Sequence, residues 1–283
     1  MDAQAISLIQ KTAVDAEGQR SIDSHKPVAV LPNDYTLHDL EPYQLHRAQF
    51  RGVFATSSLE AFASYTKHQR ANPGPHQADG ALAGFVDVDS MSARVIFDLL
   101  VKDDDDVIQP GHALHSAVLA LKKTAEHAAV LQVNGRQLKQ VDLIEWLEDW
   151  QPNIAALADE AGAAVHLPSA IAAIRRLEIS TKTNTSHTTE ALRAERTALE
   201  QVEARGAGQL PTRIVFRCVP YPGLPARDFP LRVAVITSHE KPMLSLRIVN
   251  PEAIAEAIAE DFRKALSEGI GEAATLTLGT FKP

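Results

Sequence analysis

RIVFRCVPYPGLPARDFPLRVAVITSHEKPMLSLRIV, residues 213–249, decides the fold class. It contains three apolar or alternating runs, 213–221, 229–238 and 243–249. Runs of this kind, rich in Val, Ile, Leu and Phe, read as strands. Their linkers hold Pro220, Pro222-Gly223, Pro225 and Glu240-Lys241-Pro242. Strands joined so briefly favour an antiparallel sheet, since parallel neighbours need a long crossover. Beyond them Pro251 sits near a helix start. Ile254, Ile258, Phe262 and Leu266 then recur at helical spacing and Gly269 ends the helix.

Working outward, the next informative stretch is Thr124–Ile154, which holds both tryptophans. Asn134-Gly135 adopts positive φ at little cost, so the backbone reverses there. Leu143, Trp146, Leu147 and Trp150 then fall at i, i+3, i+4 and i+7, one face of a helix. Asp142, Glu145, Glu148 and Asp149 take the other face. Gln151-Pro152 ends the helix, because the residue before a proline leaves the α region. Burying each large apolar side chain contributes on the order of 2 kcal/mol, so Trp146 and Trp150 are expected in the core.

The rest of the chain is read more coarsely. Residues 1–30 form an N-terminal arm: Ile6, Leu8, Ile9 and Val14, then a polar stretch from Asp15 to Lys26. Residues 27–43 are extended, with a turn at Asn33-Asp34. Ala48–Ala55 is a strand. Ser57-Ser58 opens a helix with Leu59, Phe62 and Tyr65/Thr66 on its apolar face. Asn72-Pro73-Gly74-Pro75 ends it. Residues 81–89 and 93–101 read as two strands joined at Ser90-Met91-Ser92, followed by an acidic loop at Asp103–Asp106. Residues 113–121 read as another strand, and Leu157–Ala164 is an alanine-rich stretch. Ser169 caps a helix carrying Ile171, Ile174 and Leu177. Strands and helices do not alternate strictly and no internal repeat exists, so α+β is expected over α/β.

Composition sets bounds. At 283 residues, 45% hydrophobic and 23% charged, the chain is an ordinary globular protein with few aromatics. Its net charge is −8, whereas nucleic-acid binders usually show a basic face. Nucleic-acid binding is therefore disfavoured, although a local patch can survive an acidic total. Lys122-Lys123 and Arg175-Arg176 are the densest basic runs. The lone cysteine, Cys218, excludes an intramolecular disulfide and a cysteine-rich zinc site. It lies in an apolar run and reads as a buried, inert thiol. Neither a long apolar run nor a signal-peptide pattern is present.

Asp87 and Asp89 alternate on a strand with Asp98 nearby, a set that could hold Mg²⁺ in a nuclease. The motif lacks its lysine or third acid, so a solvated strand face is preferred. His112, His115 and His127 suggest a metal site, but His112 and His115 are three apart across what reads as a strand. Asp103–Asp106 lack the ligand spacing, glycine and terminal glutamate of a calcium loop. No phosphate-binding glycine loop, dinucleotide fingerprint or serine-nucleophile elbow occurs. No catalytic, cofactor-binding or metal residue is assigned.

Four pieces in order carry a family resemblance: LPNDYTLHDLE (31–41), FVDVDSMSARVIFDL (85–99), HSAVLALKKTAEHAAVLQVNG leading to LIEWLED (115–149), and LRVAVITSHEKPMLSLRIVNPEAIAEAIAEDF (231–262). Their order resembles the YfdQ-like family of uncharacterised proteins from tailed phages and prophages. The resemblance implies phage origin, and that residues 178–217 are extended antiparallel strands around a turn, where the spacing of Leu192, Leu199 and Val202 by itself would equally suit a helix face. It also implies a strand before the Asn134-Gly135 turn, where Ala128-Ala129-Val130 replaces the usual aromatic.

The expected protein is thus α+β, with antiparallel sheets, packed helices, an arm at 1–30, a body at 31–177 and a projecting segment at 178–212. Residues 213–283 complete the body. In outline this is similar to the tailed-phage major-capsid fold shared by encapsulin shells. The expected function is non-enzymatic self-assembly into a homo-oligomer, such as a capsid-like shell, in the host cytoplasm or the virion. Its partners are copies of itself and other phage proteins, with no membrane. The alternative is a replication or recombination accessory protein that binds single-stranded DNA or a DNA-binding partner. Arg213, Arg217, Arg232 and Arg247 carry that alternative.

Overall fold

The computed structural model describes residues 20–21, 28–31, 36–47, 50–74, 77, 82–103, 105–177, 210–236 and 243–282. Most of the N-terminal arm, the Asn33-Asp34 turn and nearly all of the projecting segment lie outside these residues.

Three strands open the chain: β1 (Arg20–Ser21), β2 (Val28–Leu31) and β3 (Thr36–Asp39). They form a small antiparallel sheet in sequence order.

The body follows as β4 (Gly52–Thr56), helix α1 (Leu59–Ala71), β5 (Leu82–Asp87) and β6 (Ser92–Ile96). Next come β7 (Leu100–Lys102), β8 (Ile108–Pro110) and β9 (His115–Ala120). Helix α2 (Ala125–Val133), β10 (Gln137–Lys139), α3 (Gln140–Asp149), β11 (Ile154–Ala158) and α4 (Leu167–Arg175) continue it. The chain closes with β12 (Arg213–Cys218), β13 (Arg227–Ile236), β14 (Met243–Ile248), α5 (Pro251–Ile270) and β15 (Ala274–Leu278).

Two five-stranded sheets dominate. One is wholly antiparallel, in the order β10-β14-β13-β12-β11. This is the sheet that the short linkers of residues 213–249 require. The other runs β15-β5-β6-β9-β4 and is mixed. Its centre is antiparallel, but both edge pairs, β15–β5 and β4–β9, are parallel. Each parallel partner returns through a long connection, which is what parallel pairing demands. The fold is α+β with antiparallel sheets and packed helices, as expected, and the mixed sheet adds two parallel edge pairs.

One continuous core joins these layers. Phe62 of α1, Phe262 and Leu266 of α5, Val86 and Val95 of the mixed sheet, and Leu143 and Leu147 of α3 are buried in it. Phe216, Leu231, Leu244 and Leu246 of the antiparallel sheet are buried in the same cluster. Trp146 is buried and its ring lies 5.3 Å from that of Phe216. Trp150 stands just past the end of α3 and is half-buried, edge-on to Phe216. It packs against the core rather than within it, because the helix stops one residue before it.

Local departures from the sequence reading have physical causes. The strand expected over 93–101 breaks after Ile96. There the Asp98 carboxylate accepts from the backbone N–H groups of Leu114 (2.8 Å) and His115 (2.9 Å). It thereby holds the start of β9. The strand expected from residue 113 begins at His115, since Ala113 has φ 53°, a left-handed conformation that a strand does not take. A Cβ on Gly111 would meet the Asp98 carbonyl oxygen at 1.9 Å, so only glycine fits this crossing. The strand expected from Ala48 begins at Gly52. Ser58 caps α1 as anticipated, its side chain accepting from Ala61 N–H. Ser169 does not cap α4, which already starts at Leu167.

The strand implied before Asn134-Gly135 is instead helix α2. Its Thr124 cap accepts from His127 N–H and donates to the Val219 carbonyl at 2.6 Å. The Asn-Gly pair then ties the helix to β14. Asn134 Oδ1 accepts from Ile248 N–H, and Gly135, with φ 75°, donates to the Leu246 carbonyl.

Candidate functional site

The antiparallel sheet has a buried face and an exposed one. Alternation along each strand sends Ile214, Phe216, Phe229, Leu231, Leu244 and Leu246 into the core. The intervening residues fall on the opposite face, where the hairpin registers bring arginines together. Arg213 pairs with Arg232 across β12–β13, and Arg232 pairs with Arg247 across β13–β14. All three are exposed. With strands about 4.8 Å apart, the three Cα atoms form a row roughly 10 Å long across the sheet.

Like charges directly opposite one another destabilise a sheet. None of the three has an ion pair or hydrogen bond with another described residue. The only acid that the registers place on this face of the five strands is Asp228. It is already held by Arg217 in a two-pronged pair of 2.6 and 2.9 Å. That guanidinium keeps the Asp228 carboxyl below its usual range, and the carboxylate in turn raises the Arg217 pKa. Lys139, opposite Met243 at the β10 edge, adds another exposed cation to the face. Between the charges lie Val215, Pro230, Ala234 and Ile236, all half-buried and none aromatic, and Ser245, opposite Ala234, which is buried. The result is a cationic face on an acidic protein.

Planar guanidinium groups present forked N–H donors that match phosphate or carboxylate oxygens in pairs. A row of three across neighbouring strands can track a chain of anions. Without aromatic platforms on the face, contact would go to a backbone rather than to stacked bases.

The other residues singled out in the sequence have structural roles. Asp87 and Asp89 do not share a strand face, because β5 ends at Asp87 and Asp89 lies in the following turn. Asp87 closes that turn, accepting from Asp89 N–H, Ser90 N–H and Ser90 Oγ (2.7 Å), and Ser90 chiefly lowers its pKa. Asp98 is committed to the β9 staple. His112 is exposed in the loop before β9. His115 is buried against Phe50 and Phe97 and lies 3.3 Å from Tyr65 Oη. His127 is far along the chain on α2, bonded to Pro220. Among the described residues no cluster of three His, Cys, Asp or Glu side chains is placed to hold a metal ion. In the acidic loop Asp103 accepts from Asp105 and Val107 N–H, which makes it a turn-former. Cys218 is buried, and burial, with Glu126 nearby, pushes its thiol up to about 12.

The sequence named the four arginines but could not rank them. Arg213, Arg232 and Arg247 lie at unrelated spacings, and only strand register makes them neighbours. That register also sets Arg217 apart, by giving it Asp228. The contribution of Lys139 was missed because β10, a three-residue strand, carries no periodic signal.

Fold and face together define an α+β protein with an arginine-bearing antiparallel sheet. The chain belongs to DUF2303, a family of uncharacterised conserved proteins, whose profile matches residues 2–281. No curated protein and no solved structure matches it. Among the described residues, no helix is long and apolar enough to cross a membrane.

Proposed function

We propose that this is a non-enzymatic, phage-encoded protein that binds single-stranded nucleic acid through the open face of β10–β14, as a replication or recombination accessory factor. The observation that carries the proposal is the in-register row Arg213–Arg232–Arg247. Three like charges side by side cost stability in the free protein, and an anionic strand would offset that cost. The net charge of −8 keeps binding local to this face and strongly dependent on salt. The test is fluorescence anisotropy of a labelled thirty-nucleotide oligothymidine at low salt. The wild type should bind, and a triple Arg213→Thr, Arg232→Thr, Arg247→Thr variant should not. Equal binding by both proteins would overturn the assignment.

A second reading, self-association, is favoured by a different feature. Among the described residues strand β4 ends its sheet; Val53 within it is 61% exposed and Phe50, two residues before it, 68%, while Tyr43 and Leu45 earlier in the chain are 87% and 98% exposed. A free edge with apolar neighbours is a surface that a second copy could cover. Light scattering during size exclusion decides this: a homo-oligomer is expected. A mass near 30.7 kDa at every micromolar concentration would remove it. The shell-like outline rests on the arm and the projecting segment, which fall mainly outside the described residues.

A further inference from the structure

A cavity of about 420 Å³ lies where the two large sheets meet under α5, away from the arginine face. Its walls are mainly apolar, formed by Met91, Leu131, Phe229, Ile248, Ile254 and Ile258. This size and lining suit a small-molecule site, which typically combines apolar walls with very few placed polar groups. Three charged side chains also line it, Asp89, Lys123 and Glu256, but each is exposed to solvent. They sit at its mouth and do not call for a charged ligand inside.

His127, which is 5% exposed, is a buried polar group in the wall, beside the buried Tyr221. Its Nδ1 lies 3.0 Å from the Pro220 carbonyl oxygen and must donate to it, because that oxygen can only accept. Burial favours the neutral ring. With the proton on Nδ1, the other nitrogen, Nε2, carries a lone pair. Among the described residues no donor reaches it. The ring is fixed edge-on to Tyr221 and tilted against Phe229, so the acceptor is held in place by aromatic walls.

We propose that this cavity binds a small, uncharged, flat and largely apolar molecule that donates one hydrogen bond to His127 Nε2. Indole serves as the probe, and indene, of the same shape but without the N–H, as its control. In calorimetric titration of the full-length protein, indole should bind one to one and roughly three- to tenfold more tightly than indene. In His127→Phe that preference should vanish while both compounds still bind. Ala255→Trp places a large ring at the mouth from an exposed helix position, so the fold is retained, and it should abolish binding of both. The proposal is overturned if indole does not bind the wild type, if indene binds as tightly, or if Ala255→Trp, with an unchanged unfolding curve, still binds indole.

Discussion

Replacing Arg232 with threonine should make the free protein more stable. Arg232 directly opposes Arg213 on one side and Arg247 on the other. Cross-strand pairs are worth roughly 0.2–1 kcal/mol, and like charges enter with the unfavourable sign. Removing the central charge relieves both pairs, a gain of about 0.4–2 kcal/mol by that rule. Threonine suits a strand position, whereas losing the aliphatic stem of arginine costs some packing. The expected net gain is about 1 kcal/mol at low ionic strength. It should shrink in 1 M salt, where the screening length falls to about 3 Å. Urea titrations of both proteins at 50 mM and 1 M sodium chloride measure this. Arg217→Thr is the control of opposite sign, because it breaks the pair with Asp228. If Arg232→Thr is destabilised at low salt, or gains equally at both, the row is not a repulsive array awaiting an anion.

Trp146→Ala should cost roughly 3–5 kcal/mol in urea titration, since the ring is buried against Phe216; a loss below about 1 kcal/mol would mean that this helix face is not core. Trp146→Phe should cost much less, because it keeps an aromatic contact and removes an indole N–H that is buried without a partner among the described residues. The Cys218 thiol, pushed up to about 12, should not react with an aryl disulfide at pH 8 in the native protein and should react at once in urea; native labelling would refute its burial. Burial lowers the pKa of both His115 and His127, so the unfolded chain binds more protons as pH falls through about 6.5. Stability present above that pH is therefore lost on acidification: the urea midpoint should drop from pH 7.5 to 5.5, less steeply in His127→Phe, and a flat profile would refute the assignment.

Where periodicity was strong, the sequence was legible. The runs of 213–249 became β12, β13 and β14, and the four-residue spacing became the stripe of α5 in which Ile258, Phe262 and Leu266 are buried and Ile254 is half-buried. Leu143, Trp146 and Leu147 face the core as their spacing requires. Helix α2 was illegible because its buried residues, His127, Val130 and Val133, include a polar one and sit among alanines. Strands β10, β11 and β15 are too short or too alanine-rich to stand out, and they form sheet edges. Asp87 and Asp89 looked paired because alternation was extended one turn too far. The arginine row depends on hairpin register, a tertiary property, so the chain named its members without revealing their alignment.

The most direct test of the central claim is the salt dependence of oligothymidine binding by wild type and Arg232→Thr. Each phosphate contact to a single strand contributes about −0.7 to the slope of log affinity against log salt. Three arginine contacts predict a slope near −2, and Arg232→Thr should flatten it by about 0.7. An unchanged slope in the variant, or no binding by the wild type at 50 mM salt, would contradict the claim that this face holds a nucleic-acid backbone.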